Sequence, residues 1–160
     1  MKKGVLIGAA AVLIGAAVFL WRGVGTEPAA KEPPGLTVVC GEEEVTARLG
    51  SYQWSWPEGD RRVSATADAP HPLDVMEDLP ALSGTPGEEL VLAFEGVPDK
   101  ADVICYWVDG KDLTVCPMGD LTSNSRLTLP EHCAGTLWIV EGKWETGDST
   151  GQAQYAFRII

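Results

Sequence analysis

Apolar residues follow two different patterns along this chain. Residues 4–21 form a run of eighteen without one charge, whereas the later apolar runs are short and many of them alternate with polar residues. A helix over the first run would be about 27 Å long, close to the ~30 Å apolar thickness of a bilayer. The first pattern therefore predicts a transmembrane helix, and the second predicts β-strands.

The charges beside the long apolar run predict its orientation. Lys2 and Lys3 precede the run, and only Arg22 follows it closely. The more positive end stays in the cytoplasm, so residues 1–22 are predicted to be a single-pass signal-anchor in the cell membrane, with residues 23–160 extracytoplasmic. A cleaved signal peptide is the alternative. The length of the run and the position of Arg22 favour the retained anchor.

Small residues recur along the predicted membrane helix. Gly4, Gly8, Ala11 and Gly15 are spaced by four, three and four positions, which places them on one face. Such a face allows two helices to approach closely, and it predicts weak homo-association within the bilayer that residues 4–21 contact. The alternative is that glycine and alanine are simply common in membrane helices.

The chain after the anchor divides into a linker and one domain. Residues 23–35 contain Pro28, Pro33 and Pro34 and have no apolar periodicity, which predicts an extended linker. Residues 36–160, about 125 positions, have the length of one ordinary domain with its own core.

Residues 36–160 alternate between short apolar runs and turn sequences. The predicted strands are 36–40, 45–54, 61–68, 89–95, 102–108, 113–116, 125–130, 135–144 and 151–160. No amphipathic helix of useful length separates them. The pattern predicts an all-β fold, an immunoglobulin-like β-sandwich of about eight or nine short strands, with a small closed barrel as the alternative.

Three local features refine this prediction. Gly50 and Ser51 lie inside a strand-like run and indicate a bend or bulge. Prolines at positions 70, 72, 80 and 86 exclude a continuous strand, so a crossover between sheets is predicted there, with one helical turn near 74–79. Residues 61–68 alternate weakly, which indicates a short edge strand.

The last two predicted strands alternate most regularly. One face of 135–144 carries Trp138, Val140, Gly142 and Trp144, and one face of 151–160 carries Ala153, Tyr155, Phe157 and Ile159. These two faces are predicted to belong to the core.

Four cysteines, Cys40, Cys105, Cys116 and Cys133, would lie in an oxidising space if the topology is as predicted. A four-residue loop over 109–112 would pair Val108 with Leu113 and set Cys105 opposite Cys116. A two-residue Asp-Gly turn would instead set Cys105 opposite Thr114. The first register favours a Cys105–Cys116 disulfide and leaves Cys40 with Cys133. The alternative is four free thiols packed as small hydrophobic side chains.

Several short motifs suggest a family resemblance. They are Gly50-Ser51-Tyr52-x-Trp54, then Ala67-Asp68-x-x-His71-Pro72-Leu73-Asp74, and the closing Gly-x-x-x-x-x-x-Gly-x-Trp followed by Gly-x-Ala-x-Tyr-x-Phe. Over about half of the domain the chain resembles uncharacterised lipoproteins and membrane-anchored proteins of Gram-positive bacteria. The resemblance implies an envelope location and a sandwich-like fold, but no activity. Some members carry Cys where this chain has Gln53, so no disulfide scheme is carried over from them.

Charge excludes one class of partner. From residue 36 onward there are 21 acidic residues against eight basic ones, a net charge of −13. A field of this sign repels nucleic acid and anionic lipid surfaces. We therefore expect no nucleic-acid partner.

The chain contains no motif typical of catalysis or metal binding. His71 and His132 are the only histidines, and neither accompanies a nucleophile motif; His71 is expected to cap or pack in the crossover. The cysteines are too widely spaced for zinc. We assign no catalytic, cofactor-binding or metal-binding residue and expect neither a cofactor nor enzyme activity.

Trp56 is the remaining candidate for ligand contact. It lies between Ser55 and Pro57 at a predicted loop edge, which indicates an exposed aromatic side chain. The expected function is a membrane-tethered, extracytoplasmic and non-catalytic interaction or envelope module, whose partner is an unknown envelope protein or glycan. The alternatives are a carbohydrate-binding module that uses Trp56, or a cell-wall glycan enzyme that uses acidic side chains.

Overall fold

The computed structural model describes residues 29–109, 112–120 and 126–160. These residues form eleven β-strands and one short 3-10 helix, Pro72–Asp78. The strands are β1 Leu36–Cys40, β2 Glu43–Thr46, β3 Arg48–Glu58, β4 Arg61–Ala67, β5 Ala81–Leu82, β6 Glu89–Phe94, β7 Lys100–Asp109, β8 Asp112–Asp120, β9 Arg126–Thr128, β10 Thr136–Trp144 and β11 Thr150–Ile159. The predicted all-β class is confirmed.

The strands form two sheets. The small sheet has the order β2-β1-β6-β9, and the large sheet has the order β4-β3-β11-β10-β7-β8, with β5 added beside the end of β11. The strand pairs are antiparallel except β5 with β11, which is parallel. Side chains from both sheets share one core, so the two sheets form a sandwich.

The core is rich in aromatic rings on the inner face of the large sheet. Trp144 makes edge contacts with Trp54 and Phe94 at centroid distances of 5.4 and 5.9 Å. Phe157 stacks against Trp138 at 6.0 Å. The small sheet contributes the inward side chains of Leu36, Val38, Leu90 and Leu92. The predicted core faces of β10 and β11 are confirmed by the burial of their large side chains.

Two strands more than expected are present in the described residues, because one predicted strand is divided and a short one was missed. The run 45–54 breaks at Ala47, whose side chain is buried and whose N–H donates to the Leu36 carbonyl at 2.8 Å. The break leaves β2 in the small sheet and β3 in the large sheet. The missed strand, β5, has two residues and lies within the proline-rich crossover.

The bulge predicted at Gly50 and Ser51 is confirmed. In the pairing of β3 with β11, Tyr52 lies opposite Ala153 and Leu49 lies opposite Tyr155. Two residues of β3 therefore face the single residue Gln154, which is the definition of a bulge.

The predicted crossover and its helical turn are also present. The 3-10 helix lies over part of the outer face of the large sheet, where Leu73, Val75, Met76 and Leu79 pack against Leu137, Ile139 and Ala156. His71 begins this helix as expected, because its Nδ1 accepts the Leu73 N–H at 3.3 Å.

Residues 30–35, the last part of the predicted linker, lie against the domain. The Ala30 carbonyl accepts from Trp54 Nε1 at 2.9 Å, and the Pro34 carbonyl accepts from the Tyr155 hydroxyl. The Gly35 N–H donates to Glu95 at 2.9 Å, and Pro33 is buried. We call residues 30–35 the strap, because they fasten the start of the domain to both sheets.

The predicted membrane helix, including Gly4, Gly8, Ala11 and Gly15, lies outside the described residues. Within the described part of the chain, no helix is long and apolar enough to cross a bilayer.

The strap supplies a prediction about stability. Tyr155→Phe removes the hydroxyl that donates to the Pro34 carbonyl and keeps the buried ring. Burial raises the pKa of Tyr155, because it disfavours the charged form of the side chain. We expect the substitution to lower the free energy of unfolding by about 1 kcal/mol, the usual net value of one hydrogen bond. Urea unfolding of the full chain in detergent, followed by tryptophan fluorescence, measures it. An unchanged unfolding midpoint would contradict the contact.

Candidate functional site

The outer face of the large sheet is divided into an apolar half and a polar half. The 3-10 helix covers the apolar half. Beyond it, residue alternation turns polar side chains outward from β3, β10 and β11, because successive side chains of a strand point to opposite faces. The polar half is open.

Strand pairing aligns these polar side chains in rows across the sheet. One row runs Thr66, Gln53, Gln152, Lys143, since each residue lies opposite the next in the register. The next row contains Gln154 and Glu141, and the Gln154 side-chain amide donates to Glu141 at 3.1 Å. The rows place amide, hydroxyl, carboxylate and ammonium groups side by side.

A groove of about 260 Å³ follows these rows. It is lined by residues that include Ser51, Gln53, Thr66, Glu141, Lys143 and Gln152. We call it the polar groove. Its bottom is the sheet itself, and its side chains point toward solvent.

The bulge in β3 shapes one end of the polar groove. Ser51 lines the groove, and its hydroxyl accepts the Ala69 N–H at 3.1 Å, which holds the start of the crossover against the sheet. Gly50, the other bulge residue, approaches Gln154 so closely that a Cβ atom would lie 3.3 Å from its carbonyl oxygen. Gly50 lines a separate pocket of about 260 Å³ beneath the crossover.

The loop after β10 lies beyond the opposite end of the polar groove, next to Lys143. Asp99 accepts from the Glu145 N–H at 2.6 Å, from the Thr146 N–H at 3.0 Å and from the Thr146 hydroxyl at 2.7 Å. These donors, the Thr146 hydroxyl above all, hold the pKa of Asp99 below its usual value, because they favour the charged form. Asp99 thus fixes the loop between β10 and β11.

The polar groove can form hydrogen bonds with a polar ligand, and it contains two carboxylates. Asp68 and Glu141 both line it, and both side chains are exposed to water. Among the described residues, no group of three or more His, Cys, Asp or Glu side chains could hold a metal ion.

The cysteines are placed partly as predicted. The register pairs Val108 with Leu113 and Cys105 with Cys116, as predicted. The predicted four-residue loop over 109–112 is wrong, because Asp109 and Asp112 also pair and belong to β7 and β8. The side chain of Cys116 lies outside what the structure describes, so the disulfide itself stays a prediction.

The Cys40–Cys133 disulfide is not present, because both residues are buried free thiols. Each thiol donates to a different acceptor: Cys40 to Glu88 at 3.7 Å and Cys133 to the Gly84 carbonyl at 3.6 Å. Burial, and next the Glu88 charge, raise the pKa of Cys40 and so disfavour its reactive thiolate. The Thr85 N–H donates a hydrogen bond to the Glu88 carboxylate and thereby lowers the pKa of Glu88.

Trp56 is half-buried, not exposed as predicted. β3 continues through Trp56 to Glu58, whereas the sequence indicated a turn at Pro57. Trp56 therefore points to the same face as Trp54, two residues earlier, and packs against the core. Its Nε1 is buried without a hydrogen-bond partner among the described residues. Trp56 does not line the polar groove.

The polar groove could not be predicted from the sequence. The alternation of Gln53, Gln152 and Gln154 with core residues was visible, but it did not show that β3 pairs with β11. These strands are about a hundred residues apart in the chain, and only their pairing brings the side chains together.

Comparison with known proteins gives no relative: no family model, no curated protein and no solved structure matches the chain.

Asp99 supplies a prediction about the loop beside the groove. Asp99→Ala removes all three acceptor contacts, so hydrogen exchange at Glu145 and Thr146 should become faster at pH 7. Because the pKa of Asp99 is lowered in the folded state, its contribution to stability is present above its unfolded pKa and is lost as the pH falls through the folded value. The urea midpoints of wild type and variant should therefore converge in acid.

Asp148→Ala, which removes a carboxylate of the loop between β10 and β11 itself, is the control for this experiment. If the Asp99→Ala and wild-type midpoints differ equally at pH 7 and pH 2, the carboxylate is not the stabilising group.

Proposed function

We propose that the protein is a membrane-tethered, extracytoplasmic binding module without catalytic activity, and that the polar groove is its ligand-binding surface. The observation that carries the proposal is the open polar half of the large sheet. A sheet face that bears ordered rows of hydrogen-bonding groups, next to a half that is covered, is suited to hold a polar ligand.

The proposed extracytoplasmic location of the domain is inferred from the sequence. The charge-free run 4–21 and its basic flank support an anchor whose cytoplasmic end is the N-terminus. The strap joins the domain beside the loop 145–150, where Ser149 also donates to the Ala30 carbonyl at 2.8 Å. The anchor would thus be connected at this end of the sandwich. The two-sheet arrangement also supports the finer assignment to an immunoglobulin-like fold.

The chemistry of the groove favours a polar ligand that is not strongly charged. Gln53, Gln152 and Thr66 offer neutral donors and acceptors. Lys143 adds one positive charge, and Asp68 and Glu141 add two negative ones. An extended peptide segment of an envelope protein presents matching amide groups, and we propose it as the ligand class.

A glycan is the second candidate ligand, because amide and carboxylate side chains also bind sugar hydroxyls. Sugar-binding sites commonly add an aromatic ring that stacks on the sugar. Tyr52 is the aromatic residue that lines the groove, and it packs against the core side. This arrangement supports the peptide over the glycan.

The enzyme alternative would use Asp68 and Glu141, the two carboxylates of the groove. Their exposure supports hydrogen bonding to a ligand more than general acid chemistry.

Location is tested by labelling intact cells that express the full chain. Asp60→Cys places a thiol at the exposed turn between β3 and β4. A membrane-impermeant maleimide should label this variant before lysis, whereas the wild-type chain, whose Cys40 and Cys133 are buried, serves as the control. Labelling of Asp60→Cys only after lysis would refute the extracytoplasmic location.

Ligand binding is tested with the full chain on two arrays, one of ten-residue peptides and one of cell-wall oligosaccharides. The double variant Gln53→Ala, Gln152→Ala should weaken binding to the peptides by about tenfold or more, because two hydrogen bonds of roughly 1 kcal/mol each are lost. Thr37→Ala, on the outer face of the small sheet, is the matched control. Binding that the double variant leaves unchanged would exclude the groove, and binding to oligosaccharides alone would favour the glycan.

A further inference from the structure

β4 is the edge strand of the large sheet that lacks protection against pairing. It has seven residues, no proline and an uninterrupted register with β3 from Tyr52–Ala67 to Glu58–Arg61. In the described residues no strand occupies its outer side. Its unpaired N–H and C=O groups are a template for another strand.

The other three strands at the ends of the sheets carry features that discourage pairing. β2 has four residues and bears Glu43 and Glu44, and β9 has three residues. β8 contains Pro117, and its pairing with β7 has a register shift. Short length, charge, proline and irregular pairing are the usual protections of sheet edges. β4 has none of them beyond two arginines at one end.

The residues of β4 alternate strictly between two faces. Arg62, Ser64 and Thr66 are exposed on the face that holds the polar groove, and Val63, Ala65 and Ala67 are half-buried on the core side. Asp68 follows directly and is exposed. The strand thus has a positive charge at one end of its outer face and a negative charge at the other.

Backbone geometry restricts how two copies of β4 can pair. In an antiparallel ladder, alternate residues direct their N–H and C=O groups to opposite sides of the strand. Two copies related by a two-fold axis must therefore have the axis at a residue, not between residues, for their outward groups to meet.

Among these registers, the one centred on Ala65 matches the charges. It sets Ser64 opposite Thr66 of the second copy and Arg62 opposite Asp68 of the second copy, twice by symmetry. The register centred on Ser64 would set Asp60 opposite Asp68 of the second copy, and like charges directly opposite destabilise a sheet. The charge pattern selects the first register.

We propose that β4 pairs antiparallel with β4 of a second copy of this chain, centred on Ala65, so that the two large sheets become one continuous sheet. Thr66 and Asp68 also line the polar groove. The dimer therefore brings two grooves side by side across the axis. It does not depend on what the grooves bind.

The net charge of the domain opposes this dimer, and the strength of that repulsion depends on the salt concentration. Each domain carries a charge of −13, so two copies repel one another at long range, and salt screens that repulsion beyond about 8 Å at physiological ionic strength. The paired Arg62 and Asp68 replace repulsion with attraction at the contact itself. Two copies anchored in one membrane would also meet at a raised effective concentration.

Charge reversal tests the proposal by sedimentation equilibrium of the full chain in detergent. Arg62→Asp and Asp68→Arg, each alone, should raise the dimer Kd by about tenfold or more, because each sets like charges opposite one another twice. The double variant Arg62→Asp, Asp68→Arg should restore the wild-type Kd. Single variants with unchanged Kd, or a double variant as weak as the singles, would overturn the proposal.

Two controls separate pairing from other effects. Thr150→Ala removes the oxygen that Arg62 contacts within its own chain, and it should leave the Kd unchanged. Lys100→Glu changes the net charge by the same amount as Arg62→Asp at a distant exposed site, and it should also leave the Kd unchanged.

Disulfide cross-linking tests the register between the two copies of β4 directly. Its result does not depend on whether the chains also associate through the membrane helix. A mixture of Ser64→Cys and Thr66→Cys chains should form a disulfide dimer faster than either chain alone, because directly opposite Cβ atoms lie about 5 Å apart and diagonal ones about 7–8 Å. Equal rates in the mixture and in the separate chains would overturn the proposed register.

Discussion

The ladder between β10 and β11 is the interaction on which the rest of the structure depends. Nine consecutive pairs, from Thr136–Ile159 to Trp144–Gly151, fix these strands at the centre of the large sheet. Each face of a central strand must be covered or made polar, because apolar area left in water costs about 25 cal/mol per Å². The small sheet and the strap cover the inner face of these two strands, where Trp138, Tyr155 and Phe157 are buried. Among the described residues, the crossover covers the outer face where Leu137, Ile139 and Ala156 lie.

The extent of the crossover therefore decides which part of the outer face is exposed to solvent. The prolines prevent a continuous strand in this segment, which forms a short 3-10 helix and the two-residue strand β5. The helix reaches only the apolar half of the outer face. The bulge at Gly50 and Ser51 lies at the border, with Gly50 beneath the crossover and Ser51 in the polar groove. Beyond that border the sheet carries Gln152 and Glu141. The groove and the unprotected edge of β4 are thus neighbouring parts of one open surface.

Local features of the fold could be predicted from the sequence because their causes are local. The alternation of apolar and polar residues predicted which faces of β10 and β11 are buried, and Gly50 within a strand-like run predicted the bulge. The predicted register that sets Cys105 opposite Cys116 is present, although the strands extend to Asp109 and Asp112, inside the predicted loop. The boundaries of the predicted strand 45–54 were wrong in two ways. β3 extends beyond Trp54, and Ala47 divides the predicted strand into β2 and β3. In both cases the neighbouring strand of a hairpin moves the boundary. β4 pairs with β3 as far as Glu58, and the Leu36 carbonyl of β1 accepts the Ala47 N–H.

By itself the sequence determined that the domain is all-β, which faces of its strongest strands are buried, and where the proline-rich crossover lies. Only the tertiary structure decided that β3 pairs with β11, that Trp56 packs against the core, and that Cys40 and Cys133 donate to separate acceptors. The reason is physical: alternation follows from the backbone geometry of each strand alone. The choice of strand partners depends instead on the packing of side chains that are far apart in the chain, and the polar groove exists only once that choice is made.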